Sequence, residues 1–327
     1  AGRKTAESVD YGDFTATLGY SYYANGLKKS FTAPDGTVYA YAYDPANQLT
    51  EVAIPGLGAV TVNADDWNRP KQVTLPGGAT REFTYDPFMR ATAITSRDPG
   101  GNPLLTYGYT HDPLDNIQAK TTEHGDYAYG YDALQRLTDA DNPVQADEAY
   151  TYDPVGNRLT ASHTSEEWDY DANNQLTGFD SVSFAYDANG NTTRRVAAGV
   201  TTGYGYNIED RLSSVSQGGT PLASYYYDPF GRRLWKEADG VRTCFIYADE
   251  GLVAEADASG AITRSYGYRP GSTWGTDPLF LNENGQYYFF HTDHVGTPQK
   301  MTDIGGGVVW SALYSSFGEA QVLPGST

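Results

Sequence analysis

His291-Thr292-Asp293-His294 is the most inviting chemistry in the chain, because two imidazoles and a carboxylate within four residues could hold zinc. On a strand, however, His291 and Asp293 face one way while Thr292 and His294 face the other. Zinc normally needs three or four converging ligands, and the stretch occupies the place of a turn, so a structural role is expected. His111, His124 and His163 are scattered. Asp187-Ala188-Asn189-Gly190-Asn191 echoes the start of a calcium loop, but position twelve, which should carry a bidentate Glu, is Ala198. Asp139-Ala140-Asp141 and Asp65-Asp66 read as solvated turn ends. Among 41 carboxylates, no pair is marked by its neighbours as a hydrolase acid and base. No Gly-x-Ser-x-Gly elbow is present. Cys244, within Arg242-Thr243-Cys244-Phe245-Ile246-Tyr247, reads as a small buried apolar residue. No catalytic residue, cofactor or metal is expected.

Composition bounds the remaining classes. The 327 residues carry 22 basic and 41 acidic side chains, a net charge of −19. That balance argues against nucleic acid, whose phosphates need a basic face. A single cysteine excludes an intramolecular disulfide framework. No apolar run approaches the roughly 18 residues of a membrane helix, so no membrane insertion is expected. Ala1-Gly2-Arg3-Lys4 has neither a starting Met nor a signal-peptide pattern, and reads as a cut inside something longer. Tyr occurs 28 times, Gly 36 and Met twice, and Asp outnumbers Glu by 28 to 13. The short Asp carboxylate reaches nearby backbone N–H groups, so this excess points to turns, and the aromatic content points to strands.

Any such site must be positioned by a repeat. Aromatic–x–aromatic pairs recur as Tyr20/Tyr22, Tyr41/Tyr43, Phe83/Tyr85, Tyr107/Tyr109, Tyr129/Tyr131, Tyr150/Tyr152 and Trp168/Tyr170. They continue as Phe184/Tyr186, Tyr204/Tyr206, Tyr225/Tyr227, Phe245/Tyr247, Tyr266/Tyr268 and Tyr288/Phe290. Val60/Val62 fills one gap and Ala312/Tyr314 extends the series. The result is fifteen units with spacings of 16 to 24 residues. One uninterrupted array over 1–327 is expected, with 1–18 a partial leading unit.

Within a unit, Asp follows the second aromatic and a turn follows the Asp. The repeat positions singled out are Tyr41, Tyr43 and Asp44; Tyr85 and Asp86; Tyr131 and Asp132; Tyr152, Asp153 and Gly156; Tyr186, Asp187 and Gly190; and Tyr227, Asp228 and Gly231. Asp accepts a backbone N–H two residues on, and the fourth turn residue takes positive φ. In nine units that residue is Asn47, Met89, Asp115, Gln135, Gly156, Asn174, Gly190, Asp210 and Gly231, the pattern of a type I turn with a bulge. Half a unit later, Asp35-Gly36, Gly77-Gly78, Gly218-Gly219, Asp239-Gly240, Ser259-Gly260 and Asn284-Gly285 suit two-residue primed turns. Each unit is thus two strands. About thirty antiparallel strands must coil, close or stack, since open sheets rarely exceed about ten.

The motif Tyr-x-Tyr-Asp-x-x-Gly/Asn-x-Leu resembles the YD repeat of the Rhs family, which includes bacterial Rhs proteins, toxin-complex shell components and teneurins. The best matches are Tyr41 to Leu49, Tyr129 to Leu137, Tyr150 to Leu159 and Tyr225 to Leu234. Residues 287–320, with Tyr287 to Pro298 and Val309 to Gly318, resemble the more specific Rhs core. The resemblance implies an all-β fold: a continuous antiparallel meander of YD-repeat hairpins coiled into a β-spiral, a shell-like solenoid. In toxin members the shell encloses an effector, and a self-cleaving aspartyl region follows the core. This chain reaches Thr327 before such a region, and Asp277-Pro278-Leu279 is no substitute for its cleavage signature.

The resemblance implies a non-enzymatic wall segment of an encapsulating shell. Its partners would be an enclosed passenger polypeptide or neighbouring shell segments, in an exported bacterial protein, extracellular or at the cell surface. The alternative is an extracellular adhesin or filament acting through protein or glycan contacts, self-assembling through open sheet edges.

Overall fold

The structure is a computed structural model that describes residues 2–64, 67 and 69–325. The expectation for Asp65-Asp66 lies outside the described residues. Among those described, 31 strands and no helix occur. The strands form a meander in two sheets, with each strand hydrogen-bonded to its sequence neighbours. Fifteen strands run from Ala6–Asp10 to Arg158–Ala161, and sixteen from Asp169–Tyr170 to Ala320–Val322.

The expected ribbon is interrupted once, and the sequence locates the place. The spacings from Tyr152 to Tyr170 and from Tyr170 to Tyr186 are 18 and 16 residues, the shortest in the series. The strand there, Asp169–Tyr170, has only two residues, too few for a full ladder. Two bonds still cross the gap. Trp168 N–H donates to the Leu159 carbonyl at 2.7 Å, and the Tyr170 hydroxyl donates to the Arg158 carbonyl at 2.8 Å.

The chain forms two compact units. The first combines Ala1–Thr110, Lys120–Gly125 and Phe245–Thr327, so sequence-distant segments share one core. Leu18, Val52, Val60, Val73, Ile94 and Leu105 come from its early segment, and Ile246, Leu279, Phe280 and Phe289 from its late one, all fully buried. Burying each such side chain contributes about 1.5–3 kcal/mol. The Tyr39 and Phe280 rings meet across this core with centroids 5.5 Å apart. Gly267 lies under Phe280, where an added Cβ would sit 2.1 Å from a ring carbon. The strand Gln286–Thr292 is buried on both faces from Phe289 onward, as its unbroken aromatic run Tyr287-Tyr288-Phe289-Phe290 fits.

The second unit combines His111–Ala119 and Asp126–Cys244. Few of its side chains are fully covered; Tyr127, Ala140, Tyr150, Ala161, Leu234 and Cys244 are among them. Its aromatic pairs are mostly half-buried, so cross-strand pairing carries more of its stability than a deep core does. Cys244 is buried, in no disulfide, and lies opposite Trp235.

The turns follow local rules. All nine fourth-position residues have positive φ, from 59° at Asp210 to 99° at Gly156, including Met89 at 70°. A bulge accompanies them, as between Ala42 and Tyr43 or Thr151 and Tyr152. The second turn class divides. Gly218-Gly219, Asp239-Gly240 and Asn284-Gly285 are two-residue loops with both residues at positive φ. So is Ala198-Gly199, which carries no side-chain signal at its first position. Asp35-Gly36 and Ser259-Gly260 differ from that expectation. Only the Gly has positive φ, and each loop is the longer bulged form. At Ser259 the reason is Asp257, whose Oδ1 accepts the N–H groups of Ser259 and Ala261 and draws the loop into the longer form.

Candidate functional site

Two arrangements could matter for function: the rim of repeated turns, and one buried polar cluster in the first unit.

At the rim, the turn Asp is a clamp. Asp132 Oδ1 accepts the backbone N–H of Leu134 and Arg136, and its Oδ2 accepts Arg136 Nε at 2.7 Å. Asp86 and Asp228 repeat this with Arg90 and Arg232. Asp153 and Asp187 use Asn157 and Asn191 in the same place. Asp44 accepts the Gln48 N–H. The backbone N–H and side chain of Arg136 hold the Asp132 carboxyl below the ordinary carboxylate range, and Asn191 does the same for Asp187. Some clamps reach onward: Arg136 Nη1 donates to the Asp153 carbonyl, and Arg211 Nη1 to the Asp228 carbonyl, each at 2.9 Å.

In eight of the units the second aromatic ties one turn to the one before. Tyr43, Tyr85, Tyr131, Tyr152, Tyr170, Tyr186, Tyr206 and Tyr314 donate their hydroxyls to the carbonyls of Lys28, Pro70, Ile117, Leu137, Arg158, Leu176, Thr192 and Pro298. Every acceptor is the first residue of the strand that follows the preceding unit's turn. Tyr41 lies one pleat inward and is buried. Tyr227 lies 6.0 Å from the Arg211 guanidinium. Sequence reasoning did not find these staples, yet a signal existed. The first aromatic varies among Tyr, Phe and Trp, whereas the second is almost always the hydroxyl-bearing Tyr.

The calcium-like run is committed to this rim. Asp187 oxygens take the N–H groups of its own turn, and Asp210 Oδ1 accepts the Nδ2 groups of Asn189 and Asn191. His291-Thr292-Asp293-His294 divides between a strand end and a turn. Asp293 Oδ1 accepts the N–H groups of Val295 and Thr297. His291 is fully buried, with Nε2 3.0 Å from Thr302 Oγ1. Burial, with the charges of Arg81 and Lys300, pushes its pKa down to about 3. The His294 ring packs 4.8 Å from Tyr109. Asp139 and Asp141 are exposed at the end of the strand Leu137–Asp141.

The buried cluster centres on Arg81, on the strand Thr80–Tyr85. Arg81 is 2% exposed, and its guanidinium lies 5.2 Å from the Phe83 ring centroid. Its Nη2 donates to Thr292 Oγ1 at 2.5 Å. Its Nη1 is 3.6 Å from Asp277 Oδ1, an ion pair too long for a hydrogen bond. Asp277 Oδ1 also accepts from Thr292 Oγ1, and its Oδ2 accepts Arg269 Nη2 at 2.8 Å. Burial would raise the Asp277 carboxyl, but the charges of Arg81 and Arg269 outweigh it and hold it below the usual range. Arg81 Nε has no hydrogen-bond partner. A cleft of about 270 Å³ opens beside these groups, walled by Phe83, Tyr85, Ile94 and Val295.

Residues 105–322 match the Teneurin YD-shell family, and residues 22–56 match the RHS repeat. The double-stranded DNA deaminase toxin A of Burkholderia cenocepacia (strain H111) is 28% identical over 291 residues, covering 79% of this chain and 20% of that protein. The fold matches the crystal structure of TcdB2-TccC3-Cdc42 with a TM-score of 0.74 at 17% identity, over 94% of this chain and 18% of that one. The Photorhabdus luminescens Tc holotoxin pore gives a TM-score of 0.73 at 17% identity, over the same shares. The chain therefore spans about a fifth of the length of the relatives it matches.

Proposed function

The chain belongs to the Teneurin YD-shell family, and from that premise we propose that it is wall material of an Rhs-type shell. In this reading it is a non-enzymatic scaffold that sequesters a passenger polypeptide, such as a toxin, in an exported bacterial protein. Its direct partners are the passenger and neighbouring stretches of wall. The observation that carries the reading is the recurring tyrosine staple, exemplified by Tyr131 to Ile117 and Tyr152 to Leu137. A wall needs rigidity along its length, and a hydroxyl bond repeated in eight of the units contributes it without any specialised centre. The turn carboxylates, the groups suited by type to acid–base work, are engaged by their own backbone. The deaminase in the name of the Burkholderia relative describes a protein of which this chain spans a fifth. A net charge of −19 would attract a cationic passenger diffusely.

A second reading, an extracellular adhesin or filament, is favoured by one observation. In the second unit the turn tips expose large apolar side chains: Leu134 at 68%, Val155 at 71%, Ile208 at 101% and Phe230 at 84%. Such residues mark contact surfaces when they gather.

Electron microscopy of the protein as produced by its source, with limited proteolysis, tests the choice. Hollow particles that protect a passenger fragment until denatured support the wall. Filaments support the second reading. Particles with no protected fragment at any protease dose overturn encapsulation.

A further inference from the structure

We propose that one sheet face of the second unit pairs with the same face of a second copy of this chain, an aromatic ridge on each copy seating in a small-residue trough on the other. The inference does not depend on the wall reading, because a chain that encloses nothing would pair in the same way.

The middle residue of each aromatic–x–aromatic pair points to the face opposite the tyrosines. Along the second unit that residue is Gly130, Thr151, Asp169, Ala185 and Gly205, and then Tyr226. The first five show that the repeat needs no large side chain there, yet Tyr226 places a ring on this face and is 57% exposed. It lies opposite Trp235 on the adjacent strand, and the two rings stack with centroids 5.8 Å apart and planes 12° from parallel. The Arg242 guanidinium lies 4.5 Å from the Trp235 ring, and its Nη2 is 3.0 Å from Glu237. Beside this ridge the same face is low. Gly205, Ser214 and Ser224 lie opposite one another on three successive strands, and Gly203 faces Ser216. Ser214 Oγ sits 2.5 Å from where a Gly205 Cβ would be, so the trough stays flat.

Composition and shape select the occupant. Tyr, Trp and Arg are the residues that anchor protein interfaces, whose cores are depleted in charge. Glu237 and Arg242 pair with each other, and Arg194 stands at the border opposite Gly203. The face therefore carries none of the excess negative charge of a chain at −19, and a second copy meets it without that repulsion. A two-fold axis between ridge and trough sets each ridge over the other copy's trough, an isologous contact. The rings then fill the roughly 10 Å between two facing sheets. Five strands by about five residues give roughly 400 Å² from each copy. That is below the roughly 800 Å² per partner of a standard stable interface, so the dimer is weak and reversible.

Sedimentation velocity of the intact chain, from low micromolar to near-millimolar concentration, tests this. A reversible monomer–dimer equilibrium is expected. Added salt should strengthen it, by screening the net charge while sparing the apolar contact. Tyr226→Ser removes the ridge and restores a small residue like those of the other units, whereas Ser214→Arg blocks the trough. Each variant alone should dimerise at least about tenfold more weakly than the parent, with the parent's far-ultraviolet spectrum. Mixed together they should associate more tightly than either does alone, because the ridge of the Ser214→Arg copy meets an open trough on the Tyr226→Ser copy. A parent that stays monomeric throughout overturns the proposal, even if its rings bind a peptide or an oligosaccharide. So do variants that dimerise like the parent, or a mixture no tighter than its components.

Discussion

The hydroxyl of Tyr152 donates to the carbonyl of Leu137 at 2.7 Å, fifteen residues back along the chain. Leu137 opens the strand that leaves the preceding turn, so this bond ties the end of one unit to the start of the strand before it. The arrangement recurs at Tyr131 and Tyr186 in the same unit. Removing one hydroxyl by Tyr152→Phe keeps the ring and its packing, so a loss of about 0.5–1.5 kcal/mol is expected. Urea denaturation followed by fluorescence measures it. Combining Tyr131→Phe, Tyr152→Phe and Tyr186→Phe should give close to the sum of the three losses, because the bonds share no partner. No change in the triple variant would remove the staple from any account of rigidity.

The turn clamps predict the pH response. Asp132, Asp187 and Asp257 have folded pKa values below those of free carboxyls. Groups depressed in this way contribute stability that is fully present above the unfolded value of about 3.9 and is lost as pH falls through the folded value. Thermal melting should therefore be flat above about pH 5 on this account and fall steeply below about pH 4. Asp187→Asn should flatten that acid limb. An acid limb identical in variant and parent would show that other groups set it.

Positive φ gives substitutions of opposite sign. Gly231, at φ 86°, and Met89, at φ 70°, hold the same place in their turns. A side chain in the left-handed region costs about 1–2 kcal/mol. Gly231→Ala should therefore destabilise by about 1 kcal/mol, and Met89→Gly should stabilise by a few tenths to about 1 kcal/mol. Met89 is 53% exposed, so little packing is lost in that exchange. Calorimetric melting of the two variants checks both signs.

Breaking the buried ion pair is the most severe change. Asp277→Ala leaves Arg81 buried with its charge uncompensated, which costs about 3–5 kcal/mol. The double variant Arg81→Met with Asp277→Ala should recover part of that loss, since it removes the desolvated Arg81 charge and leaves only the partly exposed Arg269 without its partner. Chemical denaturation of the two variants gives the comparison. A double variant no more stable than the single one would show that packing, and not charge, dominates there.

The calcium-like and histidine-rich stretches show how local signals mislead when read as ligands. Asp187, Asn189 and Asn191 carry the right donor atoms, but their oxygens and amides are used up within and between neighbouring turns. His291 and Asp293 share a sequence neighbourhood but divide between a buried strand and an exposed turn. Composition gives donor types; only the fold gives the direction in which they point.

The amino-acid order alone determined the strand-turn-strand period and the nine bulged turns whose positive-φ residues run from Asn47 to Gly231, though not the bulged form of the loops at Gly36 and Gly260. These depend on interactions within about five residues, where Asp, Pro, Gly and Asn act on their own backbone. The same order also foreshadowed the interruption near Trp168, through its two shortest spacings. Tertiary structure decided what no local rule reaches. It set Tyr39 against Phe280 and Arg81 against Asp277, partners separated by roughly two hundred residues, and it made the Gln286–Thr292 strand dry on both faces. In a repeat, every unit offers nearly the same surface to every other. Which distant units meet is therefore settled by the accumulated twist and the few irregular side chains that break the equivalence, a property of the assembled sheets and not of any single segment.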